Sequence, residues 1–177
     1  MREEVRVAGF GGQGVILAGI VVAHAAGVYG GLEVAQTQSY GPEARGGAAS
    51  CDVVISSERI LYPKVRQPHF LLCMSQPALD RYGKECDAGR CLLLVDSTLV
   101  QHCPPGLKVA RVPATSIAEE ELGNRMAANM VMLGALARAG NVVQLELLRR
   151  AVSDVVSPRF RELNLSALAA GYERVEV

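Results

Sequence analysis

Gly9, Gly11 and Gly14 stand at the spacing G-x-G-x-x-G within the stretch VAGFGGQGV, Val7 to Val15, directly after an apolar run. The chemistry open to such a loop is anion binding. One glycine permits a tight turn, one lets a ligand approach the backbone, and one lets a helix pack on a strand. The helix N-terminus that follows offers free N–H groups and a positive dipole end. The same glycines can equally serve turn and packing with no ligand. A dinucleotide site also needs an acid at the end of the second strand, to bind ribose hydroxyls. Here the acid is Glu33, which opens that strand, and the strand's end carries Gln36, Gln38 and Ser39. NAD or FAD is therefore the weaker expectation. Within GGQG, Gly12 and Gln13 are the better candidates for touching something.

A second glycine-rich segment runs QTQSYGPEARGG from Gln36 to Gly47. Tyr40-Gly41-Pro42 reads as a turn, because Pro42 disfavours helix at Gly41. Glu43 and Arg45 flank Ala44. As a solvated pair they would contribute little. Alternatively, Arg45 is a fixed cation for an acidic ligand or a partner's carboxylate. If the first two strands are parallel, this segment leaves the sheet on the glycine-loop side. Open α/β sheets bind ligands at that side.

Other chemistry finds less support. The three histidines, His24, His69 and His102, show no metal-ligand spacing, and no G-x-S-x-G elbow is present. The five cysteines are odd in number, and a reducing compartment argues against a disulfide framework. Cys51, Cys73 and Cys91 lie in strand-like runs and read as buried thiols. Cys86 and Cys91 have C-x4-C spacing with no second pair, too few thiolates for an iron–sulfur cluster. Asp96-Ser97-Thr98 reads as a cap or turn, and Glu119 to Glu121 as a solvated helix face.

These residues need a scaffold, and the chain supplies one. Its 177 residues suit a single domain spanning 1–177, and half of them are apolar, enough for a sizeable core. Eighteen basic against eighteen acidic side chains point to neither nucleic acid nor an anionic membrane. The N-terminal MREEVRV lacks the form of a signal peptide. The low-charge stretch Val7 to Leu32 is too glycine-rich for a membrane span. A cytoplasmic protein is expected.

Strands are expected at Glu4–Ala8, Leu32–Ser39, Ala49–Ser56, Phe70–Met74, Cys91–Asp96 and Lys108–Val112, with a further short one at Ile60–Tyr62. The continuous apolar runs suit central strands buried on both faces. Helices are expected at Val15–Val28, Gln76–Lys84, Ser116–Glu121, Asn124–Ala139, Gln144–Val155 and Arg159–Tyr172. Ser75 and Pro77 start the second of these. Gly140 and Asn141 stop the fourth. Gly134 lowers helix stability relative to alanine, which implies close approach of another backbone. Asn129 needs a partner if buried. Core packing is the expected role of this helix, with a subunit contact as the alternative. The fold class is α/β: a three-layer α/β/α domain, a parallel or mixed sheet, and C-terminal helices closing one face.

GFGGQGVILAG at Gly9 to Gly19, followed by QSYGPEARGG at Gln38 to Gly47, resembles the γ subunit of 2-oxoacid:ferredoxin (acceptor) oxidoreductases. NRMAANMVMLGAL at Asn124 to Leu136 is similar as well. The match covers essentially the whole chain, and the two glycine motifs together are specific. Among such γ subunits it looks most like those of 2-oxoglutarate enzymes, with pyruvate and branched-chain enzymes close behind. The resemblance implies an enzyme that oxidatively decarboxylates a 2-oxoacid, forms an acyl-CoA and passes electrons to ferredoxin. It implies thiamine diphosphate and Mg on α and β subunits, iron–sulfur clusters on other components, and CoA as co-substrate. The γ chain would pack against the α, β and ferredoxin-like subunits, help shape the CoA side, carry no catalytic residue, and be inactive alone. A homodimer of the isolated chain stays open. On this basis the residues expected to contact ligand or subunit are Gly11, Gly12, Gln13, Gln38, Ser39, Tyr40, Glu43 and Arg45.

Overall fold

The computed structural model describes residues 1–40 and 47–177. Six strands, β1 (Arg2–Phe10), β2 (Glu33–Ser39), β3 (Ala48–Ser56), β4 (Phe70–Cys73), β5 (Leu92–Asp96) and β6 (Lys108–Val112), form one sheet in the order β2-β3-β1-β4-β5-β6. β1, β4, β5 and β6 run parallel. β3 is antiparallel to both β1 and β2, so the sheet is mixed and β1 and β2 point the same way.

The apolar runs bury both faces, as their lack of alternation predicted. Leu72 and Leu94 face a large core built with α1 (Val15–His24), α4 (Ala128–Ala139), α5 (Leu145–Val155) and α6 (Arg161–Arg174). Leu71, Cys73, Leu93 and Val95 face a smaller core under α2 (Gln76–Tyr82). That is the expected three-layer arrangement. The Ser75 hydroxyl accepts from the Ala78 N–H at 3.2 Å and caps α2, with Pro77 in the first turn.

Helix ends depart from the expected simple form. α1 stops at His24 and widens into a π-helical turn over Ala25–Tyr29, closed by Gly30 N–H to the Ala25 carbonyl at 2.9 Å. The helix expected from Ser116 starts earlier, as α3 (Ala114–Ser116), and also widens, over Ile117–Glu121. Before α4, Asn124 caps a 3-10 turn over Arg125–Ala127 by accepting from Met126 N–H at 3.0 Å. The short strand expected at Ile60–Tyr62 does not form. β3, which they follow, and β1, whose start they lie beside, already have a partner on each side, so neither can take another strand.

Gly134 finds the backbone its presence implied, and that backbone belongs to the same chain. A Cβ at Gly134 would strike the Leu168 carbonyl of α6, and a Cβ at Gly171 would strike the Val131 carbonyl of α4. The two helices meet glycine to backbone in both directions, and α4 is buried from Ala128 to Ala137. Core packing within the chain accounts for this helix.

The cysteines require a correction. Cys86 and Cys91 form a disulfide, although the cysteine count argued against bridging. The Asp87 carbonyl accepts from Arg90 and Cys91 N–H groups, and this tight turn brings the two Cα atoms to 5.3 Å. That separation lies within bridging range. Cys51 and Cys73 are buried free thiols, as expected. Among the described residues, no helix is long and apolar enough to cross a membrane.

Two outcomes follow for solution experiments. Gly134→Ala and Gly171→Ala should each lower stability by about 3 kcal/mol or more, the upper end for overpacking, because backbone must move; urea unfolding would measure it. Burial pushes the Cys51 thiol up to about 11 and raises Cys73 as well, so both stay protonated at pH 8. Alkylation of the folded chain at pH 8, mapped by mass spectrometry, should therefore mark the less buried Cys103 first.

Candidate functional site

The glycine loop joins the end of β1 to the start of α1, and two side chains fix it. Gln13 accepts from Phe10 N–H through Oε1 at 2.9 Å and donates from Nε2 to the Met74 carbonyl at 2.8 Å. It therefore bridges the C-terminal ends of β1 and β4. Asn129, buried at the start of α4, donates from Nδ2 to the Gly14 carbonyl at 3.0 Å and accepts from Met130 N–H at 2.8 Å. The partner it needed is the glycine loop itself.

The loop glycines then separate by physical need. Gly14 has φ +75, and a Cβ there would collide with Asn129. A Cβ at Gly9 would collide with Gln13 and come within 3.3 Å of Met74. Gly11 is different: its φ lies outside the left-handed region and a Cβ would meet nothing within 4 Å. Neither turn nor packing demands glycine there. Gly11 and Gly12 are exposed.

Two hollows adjoin the loop. A recess of about 140 Å³ is lined by Phe10, Gly11, Gly12, Gln13, Thr115 and Arg125, among others. A larger apolar groove of about 340 Å³ lies between the N-terminal end of α1 and the α5–α6 connection, with Leu17, Val155, Phe160 and Leu163 in its wall. Met126 lines both and is 58 % exposed. The sequence places Met126 among the apolar residues of the helix, but the 3-10 turn before α4 rotates it outward. Arg125 pairs with Glu119 at 3.1 Å on the surface, a weak tie that leaves the guanidinium able to turn to the recess.

Asp96 has the expected capping role. It accepts from Thr98 N–H at 3.1 Å and from the Thr115 hydroxyl at 2.6 Å, with Thr115 N–H also donating to it. It thereby sets the start of α3 behind the recess. Glu121 pairs with Arg174 on the exposed face, and this partner holds the Glu121 carboxyl below its ordinary range.

Of the predicted contact residues, Gly11, Gly12 and Gln13 sit together at the recess. Gln38, Ser39 and Tyr40 are exposed at the end of β2, on the same edge of the sheet, since Phe10 pairs with Ala48 and Ser39 with Ser50. One strand, β3, stands between them and the loop, a separation of about 10 Å. None of the three lines either hollow. Glu43 and Arg45 lie outside the described residues. Arg125, Met126 and Leu17 stand in the quoted stretches, but nothing in their spacing marks them as lining a hollow, and Thr115, Val155, Phe160 and Leu163 stand in none. Only the pairing of α4 with the loop assembles them.

Likeness to known proteins gives the family of the chain. The family model for pyruvate ferredoxin/flavodoxin oxidoreductase matches residues 4–174. The chain belongs to that family. Within the pyruvate ferredoxin/flavodoxin oxidoreductases it is 46 % identical over 175 residues to the 2-oxoglutarate synthase subunit KorC of Methanocaldococcus jannaschii, covering 98 % of this chain and 94 % of that one. Its fold matches the keto/oxoacid ferredoxin oxidoreductase γ subunit of Geobacter sulfurreducens at a TM-score of 0.89 and 39 % identity, over 98 % of this chain and 96 % of that one. It also matches 2-oxoglutarate:ferredoxin oxidoreductase from Magnetococcus marinus, solved with 2-oxoglutarate, coenzyme A and succinyl-CoA bound. That likeness has a TM-score of 0.83 and 26 % identity, and covers 97 % of this chain but 30 % of that one.

The iron–sulfur clusters that the resemblance implies find no suitable donors among the described residues. Cys86 and Cys91 are bonded to each other, and Cys51 and Cys73 are buried. No group of three or more His, Cys, Asp or Glu side chains there could hold a metal ion.

Gln13→Ala should lower stability by about 1–3 kcal/mol, because a partly buried backbone N–H and a carbonyl lose their partner. Gly11→Ala should change stability by less than about 0.5 kcal/mol. Chemical denaturation of the two variants side by side would separate a structural glutamine from a glycine kept for another reason.

Proposed function

We propose that the chain is the γ subunit of a 2-oxoglutarate:ferredoxin oxidoreductase. The complex oxidatively decarboxylates 2-oxoglutarate to an acyl-CoA and passes the electrons to ferredoxin. The observation that carries the proposal is the near full-length identity with the Methanocaldococcus jannaschii subunit. In this arrangement thiamine diphosphate, Mg and iron–sulfur clusters belong to α, β and ferredoxin-like partner subunits, in the cytoplasm. The chain itself forms one domain that contributes surface.

The glycine edge is where that surface meets CoA or a neighbouring subunit. Gly11 supports this, because an open position without a side chain leaves the recess accessible. The loop leads directly into the N-terminal end of α1, and a helix N-terminus suits a phosphate or carboxylate. The apolar groove beyond Met126 suits an uncharged chain attached to such an anion. Gln13 acts by holding this geometry, since both ends of its amide are engaged with backbone. Gln38, Ser39 and Tyr40 extend the contact along the sheet edge, and Glu43 and Arg45 are assigned to it from the glycine-rich sequence segment they share.

The isolated chain should show no oxidoreductase activity and no visible cofactor colour, while copurifying with larger partner chains when coexpressed with them. In the assembled enzyme, Gly11→Ala and Arg45→Ala should lower turnover about tenfold or more with assembly intact, equivalent to about 1.4 kcal/mol. If CoA binds this chain directly, CoA at a hundred times its Kd should stabilise the isolated protein by about 2.7 kcal/mol. Full turnover by both variants would reduce the glycine edge to packing.

A further inference from the structure

The opposite edge of the sheet, where β1, β4 and β5 begin, carries the connection from Ser57 to His69. It has no helix or strand, and connections of that length are uncommon unless functional. This one is firmly held. Ser57 N–H donates to the Met1 carbonyl at 3.0 Å and His69 N–H to the Glu4 carbonyl at 2.8 Å. Arg2 donates to the Tyr62 carbonyl at 2.9 Å, and the buried Arg6 to the Val65 carbonyl at 3.1 Å. Arg66 lies over the Tyr62 ring, 4.8 Å from its centre, and donates to its hydroxyl at 3.1 Å.

At the tip of this anchored loop Leu61 is 84 % exposed and Tyr62 43 % exposed. A flexible solvated loop would need neither four backbone anchors nor a leucine held in water. The loop carries Arg59, Lys64 and Arg66 close to the tip in sequence, and further cations line the hollows beside it. Arg2, Arg66 and Arg90 line a hollow of about 540 Å³, and Arg90 and Lys108 line its neighbour of about 440 Å³, which Val177 closes. Among the described residues, Arg59, Lys64, Arg90 and Lys108 make no ion pair. Of the facing acids, Glu4 is paired with Arg2 at 2.9 Å, Glu3 contacts the His69 imidazole at 2.7 Å, and Asp87 accepts from Gly89 N–H at 2.8 Å, a neutral donor that leaves its charge in place. Glu58 stands exposed beside the tip.

We propose that this edge docks on an acidic surface of another subunit of the oxidoreductase complex, with Leu61 entering an apolar pocket and Tyr62 and Arg66 packed beside it. An apolar anchor flanked by Tyr and Arg is the composition of an interface centre. The loop is already ordered, so association loses little further conformational entropy. The cations of this edge without an ion pair, Arg59, Lys64, Arg66 and Arg90 among the described residues, select an acidic partner and steer its approach. An exchanging electron carrier would use a small polar contact, whereas a projecting leucine favours a lasting one.

The test coexpresses all subunits with the wild-type chain, with Leu61→Asp, or with the double variant Arg66→Glu/Arg90→Glu, and measures assembly by native mass spectrometry over a range of salt. As isolated chains the variants should melt within about 2 °C of wild type, because the changed side chains are exposed. Assembly should weaken at least tenfold for Leu61→Asp at every salt concentration. For the charge reversals it should weaken most at low salt. Assembly equal to wild type in both variants overturns the proposal. So does normal assembly with a raised KM for ferredoxin and an unchanged rate with a small dye acceptor, which would give the edge to the electron carrier. A homodimer of the isolated chain that Leu61→Asp dissolves would give it to a second copy instead. A wild-type chain that fails to assemble would remove the γ-subunit assignment itself.

Discussion

One hydrogen bond, from Asn129 to the Gly14 carbonyl, joins the helical layer to the glycine loop, and the candidate site depends on it. Its placement is set from further away. Asn129 stands in α4, and α4 is fixed by the mutual approach of Gly134 and Gly171 to backbone carbonyls of the opposing helix. Such a contact tolerates almost no sliding, because any shift brings Cα against carbonyl oxygen. The C-terminal helix α6 therefore positions α4, α4 positions Asn129, and Asn129 positions a loop near the other end of the chain. Gln13 completes the clamp from the sheet side by tying the loop to β1 and β4. A loop built largely of glycine would otherwise be the most mobile part of the molecule.

Much of this was legible in the sequence. Each main strand and helix appeared as an apolar run or a periodic pattern, and both glycine segments announced themselves by composition. Gly134 and Asn129 could be identified as residues needing a close neighbour and a polar partner. What those partners were could not be read, because α6 and the glycine loop are brought to α4 by tertiary packing alone. The Cys86–Cys91 bridge was missed for a related reason: counting and compartment say nothing about a turn that places two particular Cα atoms side by side. The expected strand at Ile60–Tyr62 had the right residue types, but β3 and β1 beside it were already paired on both sides. Local propensity is a weak guide where the sheet's hydrogen bonds are already taken.

The two edges of the sheet divide in chemistry. The glycine edge is open backbone, an apolar groove and few fixed charges. The other edge carries guanidinium groups and a projecting leucine. Between them runs Arg6, at the centre of the sheet on β1. It makes a bidentate contact with Asp52 of β3 at 2.7 and 2.9 Å, pairs with Glu85, and reaches the Val65 carbonyl. Burial alone would lower the Arg6 pKa, but hydrogen bonds and charge from Asp52 and Glu85 outweigh it and hold the group above its ordinary value. The guanidinium is thus charged at every physiological pH.

This buried cation explains why the Ser57–His69 connection can be long and yet fixed. The Val65 carbonyl supplies one of the acceptors that satisfy Arg6. Loosening the loop would leave one buried guanidinium N–H without its acceptor, a loss of about 1–3 kcal/mol, while Asp52 and Glu85 still balance the charge. The neutral pairings of a surface loop impose no such penalty. The exposure of Leu61 is therefore a property of a rigid structure, held in place from the interior by the same strand that ends in the glycine loop. β1 begins at one of these edges and ends at the other, and the charge near its middle helps keep the first in shape much as Gln13 keeps the second.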